Sequence, residues 1–370
     1  MVGGLGTSDG RPAGANKRII QERMAIHLED EALPNSFADE EALEEFMTRP
    51  SRALVKNLRR LNGDIIILGV GGKMGPTLAR LAKRAAPAKN VIGVARFSEP
   101  GLREKLETDG IETIKADLLD RRALAELPKP ENVIFMAGRK FGSSGSEELT
   151  WAMNAFMPGL VAEAFCESRI VAFSTVCVYP FVDVSAGGAT EDLPPNPPGE
   201  YAQSCVARER MLQHFSKTLR TPGCLIRLSY AIDVRYGVLF DVASSVFESR
   251  VIDLSMGYAN VIWQGDANSQ VLMCLNHCSV PAWPLNVTGR SPVSIRWLAE
   301  EFGKRFGKKA EFSGEPARTA WLANTDKAAE MFGDPIVPME KMIDWCADWV
   351  ASGGVSLGKP THYEVRDGAY

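Results

Sequence analysis

The sequence predicts an α/β protein: a doubly wound parallel sheet with a smaller C-terminal domain and an N-terminal helical extension. Three observations carry that expectation. Short apolar runs of four to six residues alternate with helical patterns between residues 63 and 228. The first of them, Ile65 to Leu68, opens directly into glycines at 69, 71, 72 and 75 and then a helical pattern. Ahead of it, residues 1–62 read as helices interrupted by Pro34 and Pro50. Runs this short and branched suit strands buried on both faces, and their alternation with helices gives parallel pairing through right-handed crossovers.

Residues 1–15 read as a flexible start without the apolar core of a signal peptide. An amphipathic helix is expected over 16–30, with Ile19, Ile20, Met24 and Leu28 on one side. Ser36, with Asp39 three residues on, is a candidate N-cap for a second helix burying Leu43, Phe46 and Met47. A third helix from Ser51 buries Leu54, Val55, Leu58 and Leu61, and Gly63 is placed to end it. This extension is expected to pack outside the sheet domain or on a neighbouring subunit.

The glycine stretch D-I-I-I-L-G-V-G-G-K-M-G (64–75) has Gly69, Gly72 and Gly75 in G-x-x-G-x-x-G spacing, with Lys73 and Met74 inside it. A tight turn into a helix N-terminus brings backbone amides and a partial positive charge to a ligand, which suits a pyrophosphate. The expected unit is therefore a Rossmann-like dinucleotide-binding domain over 63–228. Its second strand, Val91 to Ala95, ends where an acidic residue usually bonds the adenosine ribose. Arg96 stands next instead, which favours NADP over NAD. The third strand runs from Glu112 into Asp117-Leu118, whose carboxylate can reach an adenine amino group. The fourth, Asn132 to Met136, ends at Ala137-Gly138, small enough to leave room for a ribose. A polar loop, R-K-F-G-S-S-G-S, leads to a helix over 147–166 that contains Asn154. The fifth strand, Arg169 to Phe173, delivers Ser174 and Thr175. The Gly/Pro-rich segment 186–199 reads as a surface loop, followed by a helix from Tyr201 to Leu219 and a sixth strand from Cys224 to Leu228. From 229 to 370 the alternation loosens into a mainly substrate-binding domain and tail. There a helix near 235–248, short strands over 254–266, helices over 294–306, 325–332 and 339–350, and buried Trp345 and Trp349 are expected.

Composition narrows the chemistry. Apolar residues make up 45% and charged residues 24% of the 370, as in soluble globular proteins. A net charge of −4 gives no reason to expect a nucleic-acid partner, and no apolar run approaches the ~18 residues that span a bilayer. Seven cysteines without a C-x-x-C pair point to reduced thiols in a cytoplasmic protein. Cys274, His277 and Cys278 are close in sequence but lack the further ligand a closed zinc site needs, so no metal is expected. Four histidines give little support to histidine-centred catalysis.

Over about residues 62 to 350 the ordered motifs resemble the extended short-chain dehydrogenase/reductases of the sugar epimerase/dehydratase type. The resemblance rests on the glycines at 69, 72 and 75, Asp117-Leu118, Ala137-Gly138, Asn154 and F-S-T-V-C-V-Y at 173–179. T-E-D-L-P-P-N-P-P-G-E-Y at 190–201, I-R-L-S-Y at 226–230, G-D-A-N at 265–268 and N-V-T-G-R-S-P-V-S-I-R at 286–296 extend it. It implies that Thr175 hydrogen-bonds the substrate oxygen, that Tyr201 is the acid/base, and that Asn154 and Tyr201 belong to the cofactor site. It also implies a homodimer through the helices that carry them. The family's lysine, four residues after the tyrosine, is replaced here by Cys205. That removes the charge that would lower the phenol's pKa, a loss worth roughly a hundredfold or more in rate. Arg208, Lys140 and Arg139 are candidate substitutes, and Cys205 is either a reactive thiol beside the cofactor or a small buried filler.

Two functions follow. One is an NAD(P)-dependent enzyme acting on a small carbohydrate-like substrate, a sugar, sugar acid or nucleotide sugar, by overt or transient hydride transfer. The other is a dinucleotide-binding module or regulatory subunit in which redox turnover has been lost or altered.

Overall fold

The computed structural model of the protein describes residues 26–140, 142 and 145–368. The flexible start at 1–15, most of the helix expected over 16–30, and Phe141, Ser143 and Ser144 of the polar loop lie outside the described residues.

The sheet has seven strands: β1 (Ile65–Leu68), β2 (Val91–Ala95), β3 (Glu112–Lys115), β4 (Asn132–Phe135), β5 (Arg169–Thr175), β6 (Gly223–Leu228) and β7 (Trp283–Val287). They lie side by side in the order β3-β2-β1-β4-β5-β6-β7, every neighbouring pair parallel. The order reverses between β1 and β4, where open parallel sheets bind ligands beyond their carboxyl ends. In β1, Ile65 and Ile67 enter one core while Ile66 and Leu68 enter the core on the opposite face. An apolar run without alternation is what two covered faces demand.

Sequence and structure part company at β7. Its residues, W-P-L-N-V, contain a proline and resemble a loop, but the strand pairs on one side only, where a missing N–H costs no ladder bond. The G-D-A-N segment also differs: instead of ending a strand it lies in the helix Gln264–Met273.

Before the sheet, α1 (Glu40–Met47) and α2 (Arg52–Leu58) form as expected, with one shift. The N-cap of α1 is Asp39, whose carboxylate accepts the Ala42 N–H at 2.8 Å, rather than Ser36. Ser51 caps α2 by accepting the Leu54 N–H at 3.1 Å. The extension packs on its own chain. Leu43, Phe46 and Met47 join the core of the C-terminal domain, whereas Leu54, Leu58 and Leu61 join the sheet core. Phe46 meets Trp345 with ring centroids 5.4 Å apart, and Trp345 is buried as expected, as is Trp349. Glu45 pairs with Arg84 at 2.9 Å on α3 (Gly75–Ala85), and Glu40 and Glu44 pair with Arg235.

The helices flanking the remaining crossovers are α4 (Leu102–Thr108), α5 (Arg121–Glu126), α6 (Glu147–Trp151), α7 (Met157–Ala164) and α8 (Glu200–Leu219). A π-helical turn, Ala152–Phe156, joins α6 to α7. Beyond the sheet domain, helices Val238–Phe247, Ile295–Phe306 and Met339–Ala351 build the smaller C-terminal domain. No helix among the described residues is long and apolar enough to cross a membrane.

Candidate active site

Two cavities share the carboxyl edge of the sheet and meet at Gly72 and Met136. The first, about 230 Å³, is lined by Gly69, Gly72, Arg96, Asp117, Leu118, Ala137 and Gly138. These are the residues singled out for the adenosine half of a dinucleotide. Gly69 is required twice over: its φ is +95°, and a Cβ there would stand 2.6 Å from the Ala137 nitrogen. Gly75 lets α3 start against the carbonyl of Val70, only 2.1 Å from where a Cβ would be. At Gly72 a Cβ would meet nothing nearer than 3.6 Å, so its missing side chain keeps the crevice open. No side chain caps the start of α3, which suits a phosphate bound at its N-terminus. Arg96 is exposed at the rim, and Asp117 accepts the Leu119 N–H at 3.0 Å. This donor set and this open loop fit a dinucleotide.

The second cavity, about 270 Å³, brings Thr175 and Tyr201 together with Lys73, Met74, Lys140 and Cys177. Thr175 ends β5, and its Oγ1 accepts the Cys177 N–H at 3.1 Å. That contact leaves the hydroxyl proton to be donated elsewhere. Tyr201 stands in the first turn of α8, half-buried. Its phenol is held well above the usual range, first by burial and then by the thiols of Cys205 and Cys177, while Arg208 opposes the shift. Cys205 is fully buried on α8, one helical turn after Tyr201. Burial pushes its thiol up to about 11 against the pull of Arg208. It is a protonated partner of the phenol at neutral pH, without the thiolate a nucleophile needs.

The cations proposed as lysine substitutes separate clearly. Arg208, one helical stretch along α8, is buried, donates to the Phe173 carbonyl at 2.8 Å and to Asn154 Oδ1 at 2.7 Å, and fills the space left by Gly138. Lys140 enters the cavity from the loop after β4 and donates to the Thr361 carbonyl at 3.2 Å, while burial lowers its pKa. Arg139 folds back on the Gly142 carbonyl.

Asn154 sits at a break in its helix. Pro158 lacks the N–H that would bond the carbonyl of residue 154, and the helix widens there into the π turn. The Asn154 carbonyl faces Arg208 Nε at 3.4 Å. Its side-chain oxygen accepts from Arg139 N–H and Arg208, and its amide nitrogen donates to the Arg139 carbonyl and Ser204. All the amide's bonding positions go to protein, so Asn154 clamps β4's exit loop to α8.

Sequence reasoning missed the layer beneath. Glu209 and Arg227 form a buried ion pair at 2.7 Å; Ser174 donates to Glu209 at 2.6 Å, and Arg227 donates to the Tyr179 hydroxyl at 2.8 Å. Tyr179 in turn donates to Asn286 of β7 at 2.8 Å, its phenol raised to about 12 mainly by burial. A charged residue inside the apolar run G-C-L-I-R-L was the available signal.

Residues 65–235 match the model of the NAD dependent epimerase/dehydratase family. No curated protein matches the chain. Among solved structures, UDP-glucuronic acid 4-epimerase from Bacillus cereus, in complex with UDP-glucuronic acid and NAD, is similar at 19% identity. The match covers 78% of this chain and 99% of that one with a TM-score of 0.66. UDP-glucose 4-epimerase from Thermotoga maritima, with UDP-glucose, gives 16% identity, the same coverages and 0.65. UDP-glucose 4-epimerase from Thermus thermophilus, in complex with NAD, gives 19%, 77% and 98%, and 0.63. At these identities the likeness establishes the fold.

Proposed function

From a chain whose residues 65–235 match the model of the NAD dependent epimerase/dehydratase family, we propose an enzyme that moves a hydride between a bound nicotinamide dinucleotide and a carbinol carbon of a sugar-like substrate. The reading is carried by one observation: Thr175 and Tyr201 line a single cavity that opens, at Gly72 and Met136, onto the crevice of the glycine loop. Gly69, Gly72, Gly75 and the backbone of Lys73 and Met74 would hold the diphosphate, Asp117 and Leu118 the adenine, and Ala137 and Gly138 the ribose. The bound nicotinamide supplies a reversible hydride acceptor. Thr175 orients the substrate oxygen by donating its hydroxyl proton. Tyr201 takes the proton from that oxygen and returns it, as epimerisation, elimination or net oxidation requires. Arg208 opposes the rise of the phenol's pKa without reversing it, so the positive charge that position 205 lacks is not made good.

Arg96 gives the adenosine end a charge for a 2′-phosphate, whereas the Bacillus cereus and Thermus thermophilus epimerase structures carry NAD. Titration of both coenzymes decides between them. Arg96→Ala is expected to weaken NADP by about tenfold and NAD by less than about twofold.

A second reading, a dinucleotide-binding module without turnover, is favoured by the protonated Tyr201–Cys205 pair. The near-ultraviolet absorbance of reduced nicotinamide, followed with sugars, sugar acids and keto-sugars, separates the two. Turnover that disappears in Tyr201→Phe supports the enzyme; tight dinucleotide binding with no turnover on any of them supports the module.

A further inference from the structure

One buried guanidinium touches the walls of both cavities. Arg208 lies on α8 two turns after Tyr201 and is 6% exposed. On the side of the glycine-loop crevice it lies under Gly138, where a Cβ would stand 2.3 Å from Arg208 Nη2. On the side of the reacting cavity, Nη1 donates to the carbonyl of Phe173, a wall residue two positions before Thr175. β4 and β5 pair in register as far as Phe135 and Ala172, so both contacts fall where the two strands part. The ring of Phe135, the last residue of β4, centres 5.9 Å from the guanidinium carbon.

The same group reaches the helix turn that carries Tyr201. Nη2 donates to Asn154 Oδ1 at 2.7 Å, and that oxygen also accepts the Arg139 N–H at 2.8 Å. The Asn154 amide donates to Ser204 Oγ at 3.0 Å, and Ser204 donates to the Tyr201 carbonyl at 2.7 Å. The β4 exit, the end of β5 and the first turn of α8 thus meet at one planar fork. A guanidinium holds two diverging acceptors in fixed geometry, whereas an ammonium is a point charge on a flexible stem. Groups that must meet a reacting carbon tolerate little error: a misplacement of about 1 Å can cost on the order of a hundredfold.

Gly138 has a reason in this arrangement besides the space a ribose needs. Its Cβ would point onto the guanidinium and onto Asn154 Oδ1, 3.0 Å away. A guanidinium pinned by the Phe173 carbonyl and by Asn154 cannot yield without releasing them. Gly138→Ala therefore displaces Arg208 while leaving its charge in the protein.

We propose that Arg208 is a positioning residue that holds the glycine-loop crevice and the reacting cavity in register, so that a dinucleotide bound in the first presents its reactive ring to Thr175 and Tyr201 in the second. This rests on the functional reading above and deepens it. The test uses the full chain and titrates NAD, NADP and ADP calorimetrically into the wild type, Arg208→Ala, Arg208→Lys, Gly138→Ala and the double variant Arg208→Ala with Gly138→Ala. ADP fills the adenosine half alone, so it does not need the two cavities in register. Each single variant is expected to weaken the tighter-binding dinucleotide by about tenfold and ADP by less than about threefold. A general loss of structure would weaken both equally. In the double variant, Gly138→Ala is expected to add less than about twofold to the loss in Arg208→Ala, because the guanidinium it would strike is gone.

Unchanged dinucleotide binding in Arg208→Ala, wild-type binding in Arg208→Lys, equal weakening of ADP and dinucleotide, or additive losses in the double variant overturns the assignment. If Arg208→Ala does not fold, Gly138→Ala decides by the same comparison of dinucleotide with ADP. Where the wild type binds neither dinucleotide, the functional reading falls and the role of Arg208 falls with it. Where the wild type binds and the variants match it, the role of Arg208 falls alone.

Discussion

At residue scale, the pair to examine is Tyr201 and Cys205. A phenol raised by burial and by a neighbouring thiol is a weak base at neutral pH. The rate of carbinol oxidation is therefore expected to climb with pH through neutrality, without a plateau there. A plateau near neutrality would mean that Arg208 and Lys140 already lower the phenol. Cys205→Lys places an ammonium one turn from the phenol. It is expected to move the rise to lower pH and to increase the neutral rate by up to about a hundredfold, or to tighten coenzyme binding. Loss of both would show a site rebuilt around the thiol.

At the scale of elements, three contacts test how the scaffold holds this site. The Glu209–Arg227 pair ties α8 to β6 under Ser174, with both side chains 3% exposed. Glu209→Leu leaves a buried guanidinium uncompensated and is expected to cost about 3–5 kcal/mol in denaturant unfolding. A smaller loss, under about 1 kcal/mol, would mean that Arg227 finds other partners. Phe46 locks α1 onto Trp345, and Phe46→Ala is expected to cost about 3–5 kcal/mol by leaving a cavity. Asp266, buried in the helix Gln264–Met273, accepts the Val337 N–H at 2.9 Å, and burial raises its carboxyl to about 6. A carboxyl raised on folding favours the native state below its unfolded pKa, and that contribution fades as pH rises through the folded value. Asp266→Asn is thus expected to stabilise by about 2–3 kcal/mol near pH 8 and by almost nothing near pH 4. Equal effects at both would contradict a titrating Asp266.

The elements themselves were largely legible. β1, with its glycine exit, announced the sheet because a strand buried on both faces must be uniformly apolar. The cap of α1 moved from Ser36 to Asp39 because two acceptors three residues apart compete for one helix start, and a sequence does not rank them. β7 escaped notice because Pro284 is harmless only on an edge, and an edge is a property of the assembled sheet. Asn154 was found but its hydrogen bonds were not. The pattern marks the residue, whereas its saturation by Arg139, Ser204 and Arg208 depends on atoms brought from distant segments.

On the scale of the whole molecule, the N-terminal extension and the C-terminal segment both tie the C-terminal domain to the sheet domain. α1 bridges α3 and the C-terminal domain through Arg84 and Arg235, and the tail reaches Lys140 and Gly199 beside α8. The tail had no readable pattern because it forms no regular element; single contacts at Thr361, Tyr363 and Arg366 fix it. We also propose a homodimer through α6 and α8. Leu149, Trp151 and Phe156, 39%, 39% and 50% exposed, are large apolar side chains at the surface of α6 and the π turn after it. Light scattering is expected to give twice the chain mass, and Trp151→Glu with Phe156→Glu to give the chain mass.

The central claim is a dinucleotide laid across the carboxyl ends of the strands, reactive ring toward Thr175 and Tyr201. The direct measurement is a crystal structure of the full chain grown with NAD or NADP. The account predicts density that starts at the loop of Gly69, Gly72 and Gly75 and ends within hydrogen-bonding reach of Tyr201. Density at another place, or this crevice empty under saturating coenzyme, contradicts it.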